Sequence, residues 1–261
     1  MFTRNLGILT EREQQRLTQC CVSIAGVGGD GGLVAEQLCR LGVGSFRLAD
    51  PEVFELENLN RQNGSTRANV GRAKVDVIAE LITAINPAAV VELFPEGVQP
   101  DNVERFVRGA DLVIDESEYT MLHIGVSIAR TARRLGVPVL TGFNVAFGTL
   151  VTSFEPDGMT LERYLGVPED ATLDELAVLE LPLERWLPRL PGYVDAEVVA
   201  EVSAGKRPAP SVSPGVAIAA GAVATQAFTA LCGRGRRVVA PQVLWLDLFE
   251  QTLELFDHAP R

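Results

Sequence analysis

The sequence predicts an α/β fold in which a mainly parallel sheet carries helices on both faces. Compact apolar runs that suit buried strands alternate with stretches of helical periodicity over roughly the first 150 residues. Such alternation favours a parallel sheet, because each helix carries the chain back to the edge at which the next strand begins. The 261 residues, of which 47% are apolar and 22% charged, suit one large globular domain.

The N-terminal part of the chain contains the signals for five strands and the helices between them. A capping box in the segment "TERE" marks the start of the first helix, and Gly42 marks the end of the second. Pro87 ends the third helix, which begins in "GRAK". The five strand segments are "CVSIAG", "SFRLAD", "AVVELFP", "DLVID" and "VPVLTG".

The pattern changes in the C-terminal part of the chain. "GTLVTSFEP" predicts a sixth strand, and residues 156–214 are rich in proline with only short helical pieces. Because this segment is too long for a simple loop, we expect a crossover insertion that faces the substrate, within a single domain of residues 1–261. An apolar helix over 215–232 and the strands "QVLWLDL" and "TLELF" follow, and we expect antiparallel strands on this C-terminal side.

Composition and charge limit the partners and the location. A formal net charge of -11 disfavours nucleic acid as a general partner. The N-terminal "MFTRNLGILTEREQQRL" has no apolar core of a signal peptide, and none of the four cysteines has CxxC spacing, so we expect reduced thiols and a cytoplasmic location. Thr225, Gln226 and Thr229 interrupt the helix over 215–232, which predicts a buried helix and no membrane span.

A glycine-rich loop, "GVGGDGG", separates the first strand from the helix after it. Gly26, Gly28 and Gly31 fit the GxGxxG pattern, and Asp50 ends the second strand. This arrangement predicts a Rossmann-like nucleotide site, with phosphate at the helix N-terminus and ribose at the acidic residue, although a tight packing turn would also use glycine. The glycine loop alone does not distinguish an NAD-binding site from an ATP-binding site. Asp30 is unfavourable beside phosphate unless it points away or helps to hold a metal.

The loop after the second strand, "ELENLNRQNG", is rich in amide and guanidinium donors. Asn58, Arg61 and Gln62 lie within it, and Lys74 opens the next helix. An arginine fork and a lysine point charge suit a triphosphate, whose charge they would neutralise during attack and departure of pyrophosphate. Taken one by one, these residues also suit a solvated loop and a polar helix face.

Four segments together resemble the ThiF/MoeB/HesA family, which is related to the adenylation domains of ubiquitin-activating enzymes. The segments are "GVGGDG", "LADPEVFELENLNRQ", "VGRAKVDV" and "DLVIDESE", and the resemblance extends over residues 4–154. "SVSPGVAIAAGAVATQA" also looks like the helix after the family's crossover loop. The resemblance implies ATP-dependent adenylation of a carboxylate, with magnesium and release of pyrophosphate. The carboxylate is often the C-terminus of a small ubiquitin-like protein or a peptide.

The resemblance also implies roles for individual residues. The catalytic residues would be Arg61, Lys74, Asn58 and Arg4. Of these, Arg4 matches an arginine that reaches the partner's ATP in family homodimers. The nucleotide would be lined by Gly26, Gly28, Gly29 and Gly31, with Asp50 on the ribose, Asn58, Arg61, Gln62 and Lys74 around the phosphates, and Asp115 beside the cofactor.

The sequence departs from the family pattern in two places. Where relatives show D-x-x-D, this chain has Asp115-Glu116-Ser117-Glu118, so magnesium would be held by Glu118, with Asp115 or Glu116 sharing the role. The zinc-binding CxxC pairs are absent and no cysteine lies between Cys39 and Cys232, so we expect no zinc and no cysteine relay. The acyl-adenylate would pass to an external nucleophile. Neither histidine is needed, and His258 is expected in a frayed C-terminus.

The sequence therefore predicts an adenylyltransferase without its own catalytic cysteine. One alternative is an NAD-dependent oxidoreductase, which accounts for the glycine loop and Asp50 but not for "NLNRQ" and Lys74. Another is a catalytically inactive homologue that binds nucleotide or a partner, an alternative to which Asp30, Glu118 and the adjoining Tyr119 lend weight. The identity of the carboxylate would be encoded in residues 156–210, where Tyr164, Trp186 and Tyr193 line a partner groove or pack in the core.

Overall fold

The structure is a computed structural model that describes residues 1–187 and 189–258. Within these ranges the chain forms eight strands and ten α-helices. The strands are β1 (Cys21–Ala25), β2 (Ser45–Ala49), β3 (Val90–Phe94), β4 (Leu112–Asp115), β5 (Val139–Val145), β6 (Gly148–Phe154), β7 (Gln242–Asp247) and β8 (Thr252–Asp257). The helices are α1 (Glu11–Gln19), α2 (Asp30–Leu41), α3 (Lys74–Ile85), α4 (Val103–Val107), α5 (Leu122–Leu135), α6 (Leu161–Leu165), α7 (Leu173–Ala177), α8 (Leu183–Trp186), α9 (Ala196–Ser203) and α10 (Ser213–Cys232).

One mixed sheet contains all eight strands in the order β3-β2-β1-β4-β5-β6-β7-β8. The pairs from β3 to β5 are parallel, and those from β5 to β8 are antiparallel. The predicted sheet, parallel first and antiparallel toward the C-terminus, is confirmed. Because the chain runs outward from β1 to β3 and then returns to β4 on the other side of β1, the order reverses between β1 and β4. Open α/β sheets bind ligands in the crevice at such a point.

Helices cover both faces of the sheet. On one face, buried side chains of α2, α3 and α10, such as Leu38, Ile78 and Val223, pack with the apolar side chains of β1, β2 and β4. On the other face, Phe106 and Ile128 pack from α4 and α5. The predicted helix boundaries are also present, since Thr10 caps α1 in a capping box and Gly42 ends α2 with φ of 104°.

Helix α10 is the one helix of residues 1–187 and 189–258 that is long and apolar enough to cross a membrane. Half of its most apolar 18-residue stretch is buried within the protein. Val216, Ala220 and Val223 are almost fully buried, and the helix contacts α2, β5 and β6. This is the packing of a core helix, as the polar interruptions of its sequence predict.

The crossover segment, residues 156–214, folds into α6, α7, α8 and α9. Tyr164 and Trp186 are buried in the core against the sheet, which favours packing over a partner groove for these two aromatics. Tyr193 is partly buried, and its hydroxyl donates to Asp247 and accepts from the amide of Phe147. The segment is therefore fixed to the sheet at several points.

The C-terminal end differs from the sequence expectation at one residue. His258 was expected in a frayed terminus, but the residue is 6% exposed and its ring lies 4.4 Å from that of Tyr164. Burial lowers the pKa of His258. The reason is that His258 directly follows β8, which places its ring against Tyr164 of the crossover segment. The local sequence does not predict this contact.

Candidate functional site

The glycine loop forms the turn from β1 into α2 at the crevice. Gly26 has φ of 81°, and a Cβ atom there would stand 2.3 Å from the carbonyl oxygen of Glu116. A Cβ at Gly31 would stand 1.9 Å from the carbonyl oxygen of Gly26. Both positions therefore require glycine, because the loop packs against the chain that leaves β4 and against the first turn of α2.

Gly28 and Gly29 occupy the part of the loop that faces the neighbouring segments. A Cβ at Gly28 would approach the side-chain Nε2 of Gln62 to 3.3 Å, and one at Gly29 would approach Val216 to 3.4 Å. The Gln62 amide thus lies over the glycine loop. Its Oε1 is buried and, among the described residues, has no hydrogen-bond partner.

Asp50 connects the end of β2 to the glycine loop. Its Oδ2 accepts from the amide of Val27 and its Oδ1 from that of Glu52, both at 2.9 Å. Burial raises the pKa of Asp50, and the amide of Glu52 and the charge of Lys74 oppose that rise. Each carboxylate oxygen can accept a second hydrogen bond, so Asp50 retains capacity for a ligand hydroxyl.

Lys74 is the first residue of α3 and is 3% exposed. Its ammonium group pairs with the carboxylate of Glu52, whose own side chain is 60% exposed. The charge of Lys74 also opposes the raised pKa values of Asp50 and Glu118. The structure therefore brings a buried cation between the carboxyl ends of β2 and β4.

The loop after β2 turns sharply over Leu56–Asn60 in a 3-10 helix. Buried Asn58 supplies the acceptor that holds this turn, since its Oδ1 accepts from the amide of Glu55 at 2.9 Å. Arg61 donates from one nitrogen to the side chain of Asn60 and to the carbonyl oxygen of Glu57. Asn58 thus stabilises the conformation of the loop that carries Arg61. The sequence motif alone does not predict this structural role.

Three carboxyl groups lie at the end of β4 and just after it, and they have different surroundings. Asp115 accepts from the amide and hydroxyl of Ser117, and Glu116 accepts from the amide of Gly142. Burial raises the pKa of Glu118, and so does the nearby Glu52, whereas Lys74 and Arg61 lower it. Of the three carboxyls, the pKa of Glu118 alone reflects both predicted phosphate-binding cations. It is therefore the carboxyl that shares their surroundings.

Asp30 directs its carboxyl group toward β5. Its position in the glycine loop is therefore compatible with a phosphate group nearby. The Oδ2 atom accepts from the backbone amide of Asn144 at 3.1 Å and from its side-chain Nδ2 at 2.7 Å. The Oδ1 atom is buried and unpartnered within the described ranges. Burial raises the pKa of Asp30 to about 6, and the hydrogen bonds from Asn144 and the charge of Arg61 oppose the rise.

Asn144 and Ser211 extend this contact to the crossover segment. Ser211 donates from its hydroxyl to Asn144 Oδ1 at 2.7 Å and accepts at its carbonyl oxygen from Asn60 Nδ2 at 3.0 Å. The residues just before α10 are thereby joined both to the glycine loop and to the loop that carries Arg61. Sequence reasoning missed Asn144 and Ser211, because their partners lie more than 60 residues away.

Arg4 is separated from the other predicted site residues within one chain. It lies in an exposed turn at Thr3–Asn5, and the neighbouring Asn5 donates to the carbonyl oxygen of Leu41 at the C-terminal end of α2. The glycine loop lies at the other end of α2, about 18 Å away for a helix of 12 residues. Arg4 therefore does not belong to this chain's own crevice.

The crevice contains oxygen donors but no thiol. The residues in 1–187 and 189–258 include no cluster of three His, Cys, Asp or Glu side chains arranged around a metal position. Cys20 and Cys21 lie at the amino end of β1, Cys39 at the far end of α2, and Cys232 at the end of α10. Burial raises the pKa of Cys20 and of Cys39 to about 11. A carboxylate of the crevice could thus hold a hard cation only together with ligand oxygens or water.

Comparison with known proteins places this arrangement in a family. The model of the ThiF family matches residues 2–261. The chain is 34% identical over 132 residues to tRNA threonylcarbamoyladenosine dehydratase of Escherichia coli, covering 50% of this chain and 48% of that protein. It is 33% identical over 141 residues to the sulfur carrier protein adenylyltransferase of Thermus thermophilus, covering 54% and 51%. It is also 30% identical over 166 residues to the SAMP-activating enzyme E1 of Haloferax volcanii, covering 63% and 60%.

Solved structures share the fold. The crystal structure of PaaA matches with a TM-score of 0.69 at 24% identity, covering 94% of this chain and 66% of that chain. Escherichia coli MccB with MccA-N7isoASN matches with a TM-score of 0.71 at 16% identity, covering 95% and 67%. The alignments span about half the length of the curated relatives. Because the family model extends over almost every residue, the chain belongs to the ThiF family.

Proposed function

We propose that the protein is an ATP-dependent adenylyltransferase that converts a carboxylate into an acyl-adenylate and releases pyrophosphate. The observation that carries the proposal is the buried ammonium of Lys74, which lies at the crevice with Arg61 and the carboxyl of Glu118. A nicotinamide cofactor brings only two phosphates and needs no such cation. A triphosphate that is cleaved in the site needs its charge neutralised throughout the reaction.

The nucleotide would lie across the carboxyl ends of β1, β2 and β4. Gly26, Gly28, Gly29 and Gly31 leave room for phosphate at the N-terminus of α2, where amide groups and the helix dipole attract anions. Asp50 would accept from the ribose hydroxyls. Gln62, whose Oε1 is buried without a partner among the described residues, would find a donor in the ligand or in a bound water.

Arg61 and Lys74 would bind the phosphates, and Asn58 would stabilise the loop that carries Arg61. The partner of Lys74 in the free chain is Glu52, which is largely exposed and can turn into solvent when a phosphate approaches. Magnesium suits the same place, because the pKa of Glu118 is raised by burial and also by the negative charges of Glu52 and Asp50. Glu118, assisted by Asp115, would hold the ion, which would neutralise phosphate charge.

The carboxylate needs no general base, because it is already ionised near neutral pH. One carboxylate oxygen attacks the α-phosphorus, and the bond to the bridging oxygen of pyrophosphate breaks. The protein's contribution is alignment and charge neutralisation. Since no cysteine lies at the crevice, a thiol or an amine of another molecule, or a group within the substrate itself, then attacks the acyl carbon, and AMP leaves.

The names of two relatives support a small protein or peptide as the source of the carboxylate, since one activates SAMP and one adenylates a sulfur carrier protein. A third relative is a tRNA dehydratase, but a net charge of -11 opposes binding of a polyanion here. We also infer a homodimer, in which Arg4 would reach the partner's phosphates. The proposed location is the cytoplasm.

Calorimetric titration with Mg-ATP and with NAD tests the nucleotide assignment. We expect Mg-ATP to bind and NAD not to bind, and we expect Arg61→Ala and Lys74→Ala each to weaken Mg-ATP binding at least tenfold. The matched controls are Arg12→Ala and Lys206→Ala, which change exposed residues of α1 and of the segment after α9. Tight NAD binding, or equal Mg-ATP affinity in all four variants, would overturn the assignment.

A further inference from the structure

Asn60 is the exposed residue that precedes Arg61, and both ends of its side-chain amide are hydrogen-bonded. Its Oδ1 accepts from a guanidinium nitrogen of Arg61 at 2.9 Å, and its Nδ2 donates to the carbonyl oxygen of Ser211 at 3.0 Å. Ser211 lies 151 residues further along the chain, in the crossover segment just before α10. One side chain therefore connects the proposed phosphate-binding arginine to the crossover segment.

The guanidinium group of Arg61 is held by few contacts. Within residues 1–187 and 189–258, its side chain donates to Asn60 Oδ1 and, at 3.3 Å, to the carbonyl oxygen of Glu57. Both bonds use the same nitrogen, and the guanidinium group has further donors for a ligand. An arginine side chain loses rotamer freedom when it binds phosphate, so a contact that holds it beforehand lowers the cost of binding. The shorter of its two bonds, that to Asn60, is such a contact.

The crossover segment reaches Asn60 from an exposed stretch of chain. Residues 204–210 are all exposed, and they lie between the buried Val202 of α9 and the partly buried Ser211. The hydroxyl of Ser211 donates to Asn144 Oδ1 of β5 at 2.7 Å. This bond attaches the end of the exposed stretch to the sheet. It thereby also fixes the carbonyl oxygen to which Asn60 donates.

We propose that Asn60 is a positioning residue, which orients Arg61 for the phosphates while Ser211 holds the crossover segment against β5. The inference deepens the proposed adenylation and depends on it. Because Asn60 is exposed, its replacement should affect the stability of the fold little. Movement of the crossover segment, in contrast, would displace Asn60 and change how Arg61 binds ATP. The crossover segment would thus regulate the site through a residue that does not itself touch the nucleotide.

The test measures the affinities of the full chain for Mg-ATP and for adenosine, which has no phosphate, by calorimetry. We expect Asn60→Ala to weaken Mg-ATP binding about fivefold, the effect of one hydrogen bond, and to leave adenosine binding and the melting temperature unchanged. In a chain that already carries Arg61→Ala, Asn60→Ala should have no further effect on Mg-ATP. This non-additivity is the result that a merely structural role of Asn60 would not produce.

Asn69→Ala is the matched control. Asn69 accepts from Arg72 at 2.9 Å and donates to the carbonyl oxygen of Gly64 at 2.8 Å, so its amide makes the same pair of bonds as that of Asn60. Its arginine, however, forms an ion pair with Glu80 of α3. The control should therefore bind Mg-ATP as tightly as the parent chain does.

Ser211→Ala tests the connection to the crossover segment. We expect it to weaken Mg-ATP binding about threefold in the parent chain and to have no effect in the Asn60→Ala variant. Equal effects of Ser211→Ala with and without Asn60, or of Asn60→Ala with and without Arg61, would overturn the inference. Unchanged Mg-ATP affinity in Asn60→Ala would overturn the inference alone. Failure of the parent chain to bind Mg-ATP would overturn the proposed adenylation site and the inference with it.

Discussion

At the scale of single residues, Lys74 is the charge on which the proposed site depends. Its ammonium group is nearly inaccessible to water, and its partner Glu52 is on the surface. Removing a charge from water costs several kcal/mol. Three carboxyl groups, those of Glu52, Asp50 and Glu118, are affected by this one buried cation. A single buried cation among three carboxyls at the nucleotide crevice suggests a function in binding an anion and not in stability alone.

We expect Lys74→Met to leave the melting temperature unchanged or raise it, while Mg-ATP binding falls at least tenfold. The methionine keeps the apolar stem, and it removes the cost of the buried charge together with its attraction to Glu52, Asp50 and Glu118, so the two effects offset each other. Differential scanning calorimetry and titration of the same preparation measure both quantities. A melting temperature lowered by several degrees would mean that Lys74 serves the fold, which would contradict the account.

Asp30 predicts a pH dependence of stability. Burial raises its pKa from 3.8 to about 6, so folding favours the protonated form. Its contribution to stability is therefore fully present below pH 4 and is lost as the pH rises through 6. The groups that face it are Asn144, Arg61 and Glu116. At about 1.4 kcal/mol per pKa unit, the loss is about 3 kcal/mol.

Asp30→Asn removes this titration and keeps an oxygen acceptor for Asn144. The free energy of unfolding of the variant should exceed that of the parent by an amount that grows between pH 4 and pH 7. Urea unfolding at each pH measures it, with Asp157→Asn, a change at an exposed residue, as the control. A difference that is independent of pH would show that Asp30 is ionised throughout.

At the scale of elements, the local sequence predicts what each segment forms but not which segments meet. The start of α3 at Lys74 and the turn of β1 into α2 could be predicted, because caps, glycines and apolar periodicity act over a few residues. The contact from Asp30 to Asn144 joins residues 114 apart, and that from Asn60 to Ser211 joins residues 151 apart. Such pairs depend on the order of the strands, which no short pattern specifies.

Ser211→Ala tests the connection between the crossover segment and the crevice. The change removes the donor to Asn144 Oδ1 and should cost about 1 kcal/mol locally. We expect faster hydrogen exchange over residues 204–212 with unchanged exchange in β1 and β4. Ser203→Ala, at the exposed end of α9, is the control. If exchange over 204–212 is as slow as in the parent chain, other contacts hold the segment.

At the scale of the whole molecule, the crossover segment is the part whose packing the sequence predicts least. Its four helices have four to eight residues, too few for a clear periodic pattern. Tyr164 and Trp186 could equally have faced a partner, and only the fold shows that they complete the core. The parallel half could be predicted from alternation alone, since each strand there is followed by a helix that covers one face.

The proposed homodimer also belongs to this scale. Arg4 lies at the opposite end of α2 from the glycine loop, so it can reach a nucleotide only in another copy of the chain. Multi-angle light scattering with Mg-ATP should give twice the 28.1 kDa mass of the chain. We expect Arg4→Ala to remain dimeric but to bind Mg-ATP more weakly than Arg12→Ala does. A monomer at all concentrations would remove Arg4 from the site.

The central claim is that the crevice uses ATP to activate a carboxylate, and pyrophosphate exchange tests it most directly. Labelled pyrophosphate should enter ATP when the chain is supplied with a library of peptides that have free C-termini. The same peptides with C-terminal amides should support no exchange, because an amide cannot form the acyl-adenylate. Arg61→Ala and Lys74→Ala should abolish the exchange. Exchange that is equal with free and amidated peptides, or tight Mg-ATP binding without any exchange, would contradict the account.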